Sequence, residues 1–205
     1  MTDTSTDRPA DNRVALPTGE PSQGRIAVLT ADQVEDVEFF YPYYRFTEAG
    51  YQVDVITPGG GALTGYRGMG IQETVALFDV DPADYDMLYV PGGLAPTELR
   101  TLPAALDFVR AFAAADKPVG LVCHGPQMLV SAGLAGGRRM TSWYEVRPEV
   151  EGAGGIWINE PVVQDGPFIT ARKPGDLPAE MHTIMERLEE RRRDRQPEDE
   201  HELAS

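Results

Sequence analysis

The chain has 205 residues, of which 41% are hydrophobic and 25% are charged, so its composition is that of a globular protein able to bury one sizeable core. Eighteen Lys and Arg residues stand against 33 Asp and Glu residues, and the resulting formal charge of −15 disfavours nucleic acid and anionic membranes as partners. A single cysteine excludes an internal disulfide and favours a reducing compartment, and no apolar run approaches the ~20 residues that span a bilayer. With no apolar signal-peptide core near the start, we expect a cytoplasmic protein without a membrane partner.

Composition divides the chain into three parts. Residues 1–23 are rich in Asp, Thr, Ser and Pro without apolar periodicity, which predicts a disordered lead. Residues 24–190 form the single predicted domain, and residues 191–205 are a charged tail in which acids alternate with arginines.

Strands and helices alternate through the predicted domain. Short apolar runs predict strands at residues 25–30, 51–57, 86–90, 118–122 and 138–142, and a hairpin of strands 162–165 and 168–171 around Gly166. Helical spacing predicts helices at residues 37–49, 96–100, 103–115 and 178–192, with a further helical segment opening at Gly125 and Pro126. Residues 62–78 are predicted to form an excursion of short strands. This alternation indicates an α/β fold with a mainly parallel central sheet covered on both faces.

The only cysteine, Cys123, lies where the strand 118–122 turns into the helical segment. Such a turn lifts a side chain out of the sheet, and a helix N-terminus lowers the pKa of a thiol. An isolated cysteine is more often a small buried hydrophobe. The Cys-His-Gly-Pro sequence at a strand-to-helix turn instead favours a reactive nucleophile.

Three candidate groups follow three different predicted strands. Glu35 follows the first strand, Gly92 and Gly93 follow the third, and Cys123 and His124 follow the fourth. Because the carboxyl ends of parallel strands meet at one edge of a sheet, these groups are expected to converge on one site. Gly93 and His124 can offer backbone N–H groups to a developing oxyanion, although the two glycines also suit an ordinary tight turn.

Three motifs carry a resemblance to a known family. Residues 31–38 (ADQVEDVE), 91–96 (PGGLAP) and 117–126 (KPVGLVCHGP) look like those of the PfpI/ThiJ superfamily, nearest to the branch of PfpI-type intracellular proteases, glyoxalase III enzymes and protein deglycases. The similarity extends over roughly residues 24–190. It implies a flavodoxin-like three-layer sandwich of the class I glutamine-amidotransferase type, a homodimer or higher homo-oligomer, and no required cofactor.

The resemblance also implies roles for individual residues. Cys123 matches the nucleophile, which family members hold as a reactive thiolate, and Glu35 matches the glutamate that contacts the thiol. Trp143 takes a place where relatives carry an aromatic near the pocket, with plain packing as an equal alternative. In the PfpI-type proteases a neighbouring subunit's acid orients the histidine; that position is Thr97 here, and Glu98 is the possible inter-subunit acid one residue later.

His124 need not act as the base for Cys123, because adjacent residues on a tight turn usually send their side chains apart. The three histidines show no metal-ligand spacing, so no metal site is expected.

Three functions remain open at this point. The first is a cysteine-dependent enzyme acting on a small carbonyl compound such as a reactive dicarbonyl, or on its adducts, as glyoxalases and deglycases do in stress protection. The second is an intracellular cysteine peptidase acting on a peptide substrate. The third is a redox-sensing stress protein or chaperone in which Cys123 is oxidised without catalysis.

Overall fold

The computed structural model describes residues 13–14, 23–71 and 73–195. Its elements, in chain order, are β1 Arg13–Val14, β2 Arg25–Leu29, α1 Asp36–Glu48, β3 Gln52–Thr57, β4 Leu63–Thr64, β5 Gly70–Ile71, β6 Val75–Ala76, β7 Met87–Val90, α2 Ala95–Leu99, α3 Pro103–Ala114, β8 Val119–Val122, α4 Gln127–Ser131, β9 Arg139–Met140, α5 Arg147–Gly152, β10 Ile156–Trp157, β11 Val162–Asp165, β12 Phe168–Ala171 and α6 Leu177–Arg195. The domain is therefore of the predicted α/β class.

A seven-stranded sheet in the order β11-β12-β8-β7-β2-β3-β6 forms the centre of the domain. Every neighbouring pair is parallel except β11 and β12, which form the predicted antiparallel hairpin. Strands β7 and β8 are buried at every residue, as expected for strands covered on both faces. The fold is the flavodoxin-like arrangement, a mostly parallel sheet between helical layers.

Helices cover both faces of this sheet. Helix α6 packs against α1 and against strands β8 and β12, whereas α3 packs on β7 and β8 together with α4. The apolar side chains of these elements form one continuous core, whose largest members are Tyr43, Tyr85, Tyr89, Phe39, Phe46 and Phe112. Burial of the apolar side chains of each helix against the sheet, rather than helix propensity, holds the helices in place.

Several predicted boundaries differ from the observed ones. The predicted strand 138–142 shrinks to β9, which pairs with β10 outside the central sheet, and the short helix α5 was not predicted. Helix α6 continues to Arg195, where an ion pair with Asp86 holds its last turn. Most of the predicted lead and the tail beyond residue 195 lie outside the described residues, although Arg13–Val14 pairs with β5 as strand β1.

The described residues include no helix that combines the length and the apolar character of a membrane span.

The turn after β8 is tighter than a direct strand-to-helix junction. The backbone N–H of Gly125 donates to the carbonyl of Val122 at 2.7 Å, and α4 begins only at Gln127. A Cβ at Gly125 would lie 2.6 Å from the carbonyl oxygen of Val90 and 2.9 Å from that of Val122. Backbone atoms of two neighbouring strands therefore leave no room for a side chain at this position.

We expect Gly125→Ala to lower the free energy of unfolding by about 1–3 kcal/mol, because the added methyl group must push apart backbone rather than flexible side chains. Urea denaturation measures this change. Gly152→Ala is the matched control: no atom lies within 4 Å of the position that its methyl group would take, and alanine in helix α5 should cost nothing. Equal stability of the two variants would contradict this account of the turn.

Candidate active site

The loops after β2 and β7 are joined above the carboxyl edge of the sheet. Val34 and Gly93 form an antiparallel bridge, and the N–H of Leu94 donates to the carbonyl of Gln33 at 2.8 Å. Gly93 has a φ of +76°, and a Cβ there would lie 2.3 Å from the backbone nitrogen of Glu35. Only glycine fits this close approach, which brings the start of α1 over the end of β8.

Cys123 stands at the end of β8 in a strained conformation. Its φ is +60°, a left-handed value that is uncommon for a residue with a side chain. The backbone is held on both sides, since its N–H donates to Ala171 at 3.0 Å and its carbonyl accepts from Trp143 at 2.9 Å. The residue is only 8% exposed. Strain that the surroundings enforce at the edge of the sheet is typical of a nucleophile turn.

The carboxyl beside this thiol belongs to Glu38, and the prediction that Glu35 contacts the thiol is wrong. Glu38 is fully buried, and its Oε2 accepts a hydrogen bond from the N–H of Gly92 at 3.0 Å. A Cβ at Gly92 would lie 2.6 Å from this oxygen and 2.7 Å from the Cβ of Cys123, so the carboxyl and the thiol flank the same glycine. The other oxygen of Glu38, Oε1, is buried and has no conventional hydrogen-bond partner among the described residues. Glu38 lies in the first turn of α1, and helical side chains lean toward the N-terminus, which here is the site.

Burial dominates the ionisation of this carboxyl. It raises the pKa of Glu38 from 4.5 to about 7, against the opposing effects of the nearby Cys123 and of the hydrogen bond from the N–H of Gly92. Glu38 therefore ionises near neutral pH, where it can both give and take a proton.

The thiol does not ionise independently of Glu38. Burial and the nearby Glu38 charge raise the pKa of Cys123, whereas the N–H groups of Gly93 and His124 lower it by a smaller amount. The expectation that a helix N-terminus by itself lowers the thiol pKa is wrong, because α4 is five residues long and begins four residues beyond Cys123. Two negative charges are costly in one enclosed site, so a thiolate here requires a protonated Glu38.

Glu35 instead forms an ion pair with Arg67 at the same cavity. Its Oε1 accepts a hydrogen bond from Arg67 Nε at 2.9 Å, and its side chain is 13% exposed while that of Arg67 is 66% exposed. Glu35 and Arg67 both line the cavity that contains Cys123. The structure therefore brings Glu35 to the site without placing it on the thiol.

His124 does reach its neighbour, contrary to the expectation that the two side chains diverge. Its Nδ1 lies 3.3 Å from the sulfur of Cys123. Burial lowers the pKa of His124 below its usual 6.5, and the charges of Glu145 and Glu149 oppose this shift. A neutral imidazole near pH 7 follows, and it can accept a proton from the thiol or from water.

Neither Thr97 nor Glu98 reaches His124 within the chain. Both are exposed on α2, and Thr97 donates to Gln127 Oε1 at 3.4 Å. A role for Glu98 across a subunit interface stays a prediction.

The cavity above the thiol has a volume of about 310 Å³. Glu38, Cys123, His124 and Trp143 contribute to its lining, and the exposed side chains of Tyr66 and Leu94 lie at its edge. Of the two predicted glycines, Gly93 lines the cavity and aims its N–H at the sulfur, whereas Gly92 uses its N–H on Glu38. The volume suits a small ligand rather than a large cofactor.

The described residues include no group of three or more His, Cys, Asp or Glu side chains arranged to hold a metal ion.

Sequence reasoning missed Glu38, although the chain contains a signal for it. Glu38, Pro42 and Phe46 recur every four residues along α1, and all three are buried in the structure. An acid on the apolar face of a helix is costly unless it has a partner, and that conflict is itself an indication of a functional carboxyl.

The raised pKa of Glu38 predicts a pH-dependent stability. A carboxyl whose pKa is higher in the folded than in the unfolded protein stabilises the fold below its ordinary pKa of 4.5 and loses that contribution as the pH rises through about 7. Between pH 4 and pH 8, the free energy of unfolding of wild type should therefore fall by up to about 3 kcal/mol relative to that of Glu38→Gln. Urea denaturation across this range measures the difference, and Glu48→Gln, on an exposed part of the same helix, is the control. A constant difference between wild type and Glu38→Gln would show that Glu38 ionises normally.

Comparisons with known proteins identify the family to which the chain is related. The model of the DJ-1/PfpI family matches residues 24–187. A deglycase from Pyrococcus abyssi is 40% identical over 164 residues, which are 80% of this chain and 99% of that protein. Protein/nucleic acid deglycase 2 of Escherichia coli is 37% identical over 76% of this chain and 92% of its own length.

Solved structures share the fold as well. The crystal structure of Drosophila melanogaster DJ-1beta superposes with a TM-score of 0.76 at 26% identity, covering 80% of this chain and 90% of that one. The family match spans most of the described domain, including the strained cysteine and the buried glutamate beside it. We conclude that the chain belongs to the DJ-1/PfpI family.

Proposed function

We propose that the protein is a cysteine-dependent enzyme that converts reactive dicarbonyls, or releases their adducts, to hydroxy acids without a cofactor. Cys123 acts as the nucleophile and Glu38, rather than Glu35, as the proton carrier. Relatives named as deglycases support this reaction class. The substrate is a small carbonyl compound or its adduct, which suits a cavity of about 310 Å³.

The observation that carries the proposal is the pairing of Cys123 with Glu38. Both groups are buried, both line the same cavity, and burial raises the pKa of Glu38 to about 7. Transfer of the thiol proton to Glu38 generates a nucleophile and a general acid in one step, with no change in the net charge of the site.

With methylglyoxal the steps balance as follows. The thiolate of Cys123 adds to the aldehyde carbon, and Glu38 protonates the resulting oxyanion to give a hemithioacetal. The Glu38 carboxylate removes the proton from that carbon, and a proton is returned to the former ketone carbon, so one carbon is oxidised while its neighbour is reduced. Water then hydrolyses the thioester to lactate and frees the thiol.

The remaining polar groups suit these steps. The N–H groups of Gly93 and His124 lower the pKa of the Cys123 thiol in the resting site. In the proposed reaction they stabilise the negative charge that develops beside the sulfur. The neutral imidazole of His124, 3.3 Å from the sulfur, can accept a proton from the attacking water.

A cysteine peptidase is the second candidate, and the contact between Cys123 and His124 favours it. A thiol and an imidazole 3.3 Å apart form the core of a nucleophile–base pair. Among the described residues, no carboxylate of the same chain hydrogen-bonds to His124, although Glu145 and Glu149 lie near enough to act on its charge. We propose Glu98 of a neighbouring copy in a homodimer or larger homo-oligomer as the acid that orients His124.

Substitution of the paired residues tests the proposed reaction. We expect Cys123→Ala to reduce lactate formation from methylglyoxal at least about 1,000-fold, because Cys123 supplies the only thiol among the described residues that line the cavity. Glu38→Gln should reduce it about 100-fold or more, since the amide cannot exchange the proton. Lactate assayed over time measures both rates.

Glu48→Gln is the control for Glu38→Gln, because Glu48 is on the same helix with its side chain 78% exposed. It should retain wild-type turnover. Wild-type rates in Cys123→Ala would refute the dicarbonyl reaction. Cleavage of an unfolded protein by wild type but not by Cys123→Ala, without lactate formation, would favour the peptidase instead.

A further inference from the structure

The cavity of Cys123 contains a single cationic side chain among its described lining residues, that of Arg67. Arg67 lies in the turn between β4 and β5, and no step of the proposed reaction uses it. The side chain of Arg67 is 66% exposed, yet its position is constrained from two directions.

The first constraint acts on the backbone of the turn. The carboxylate of Asp36, which is only 3% exposed, accepts the N–H of Arg67 at 2.7 Å and the N–H of Met69 at 3.0 Å. The N–H of Tyr66 donates to the carbonyl of Val34 at 2.7 Å, and Gly65 approaches so closely that a Cβ would lie 2.6 Å from the Asp36 carboxylate. A buried charge at the start of α1 therefore clamps the turn onto the cavity wall.

The second constraint acts on the side chain. Arg67 Nε donates to Glu35 Oε1 at 2.9 Å, which orients the guanidinium and leaves the two terminal nitrogens available to a ligand. The hydrogen bond to Glu35 also raises the pKa of Arg67, so the group is cationic throughout the working range. A planar, pre-oriented guanidinium is the side chain best suited to bind a carboxylate.

Arg67 and the nucleophile Cys123 line the same small cavity. A cavity of about 310 Å³ holds a compact molecule of a few carbon atoms. The other ionisable lining groups are acids, the thiol, a tyrosine or a neutral imidazole, which leaves Arg67 to receive an anion.

We propose that Arg67, clamped by Asp36 and oriented by Glu35, is a specificity-determining residue that binds a carboxylate of the substrate. The preferred substrates of Cys123 are then carbonyl compounds that carry a carboxylate within a few bonds of the reacting carbonyl. This inference rests on the proposed function for the reaction, but the binding of the carboxylate does not depend on turnover.

Alkylation of Cys123 tests the binding directly. Iodoacetate and iodoacetamide have the same size and react alike: the thiolate sulfur forms a bond to the CH₂ carbon as iodide leaves. They differ in that only iodoacetate carries a carboxylate. The ratio of their second-order rate constants, measured by mass spectrometry on the full chain, cancels changes in thiol reactivity.

We expect Arg67→Gln to lower the iodoacetate-to-iodoacetamide ratio about tenfold, the loss typical of one charge-assisted hydrogen bond. Arg67→Lys, which keeps the charge but not the planar fork, should give an intermediate ratio. Arg147→Gln is the matched control, because Arg147 pairs through Nε with Glu151 Oε1 at 2.8 Å, is 54% exposed and lies outside the cavity. It should preserve the wild-type ratio.

An unchanged ratio in Arg67→Gln, an equal fall in Arg147→Gln, or a wild-type thiol that reacts with neither reagent would each overturn the proposal. The outcome is separable from that of the lactate assay. A ratio that depends on Arg67 in a protein that forms no lactate would leave the carboxylate site intact and remove the proposed reaction.

Discussion

One negative charge shared between a buried thiol and a buried carboxyl is the constraint on which the site depends. Cys123 and Glu38 come from different elements, the end of β8 and the first turn of α1, and neither is solvated enough to be charged beside a charged partner. In the proposed reaction, the proton that this pair retains serves as the acid once the thiol is ionised. Electrostatics thereby generates a nucleophile and its acid together, without a metal or cofactor in the proposed reaction.

The backbone conformation at three positions makes the pairing of Cys123 with Glu38 possible. Cys123 adopts a φ of +60°, and Gly93 and Gly125 allow chain approaches that a Cβ would block. These features bring Cys123, Gly92 and Glu38 close together at one edge of the sheet. Neighbouring segments hold the strained backbone of Cys123 in place. The site lies at the end of β8, one of the fully buried strands of the sheet.

The acidic start of α1 performs three separate tasks within four residues. Glu35 orients Arg67 at the cavity, Asp36 clamps the turn that carries Arg67, and Glu38 faces the thiol. A helix N-terminus tolerates such a concentration of acids, because its free N–H groups and dipole favour negative charge. The same segment thus connects the proposed chemistry at Cys123 to the proposed recognition of a carboxylate by Arg67.

By itself the sequence determined the α/β class, the order of the main strands and the convergence of Cys123, His124 and Gly93 on one edge, because these follow from local periodicity and from the rule for parallel sheets. It did not determine which acid meets the thiol. Glu35 and Glu38 are one helical turn apart, and choosing between them requires the first helical residue and the rotation of α1 against the sheet. Only the tertiary structure decides those, since they depend on the Val34–Gly93 bridge and on side chains packed from distant strands. The pairing of Arg67 with Glu35, 32 residues apart in the chain, was likewise beyond any local pattern.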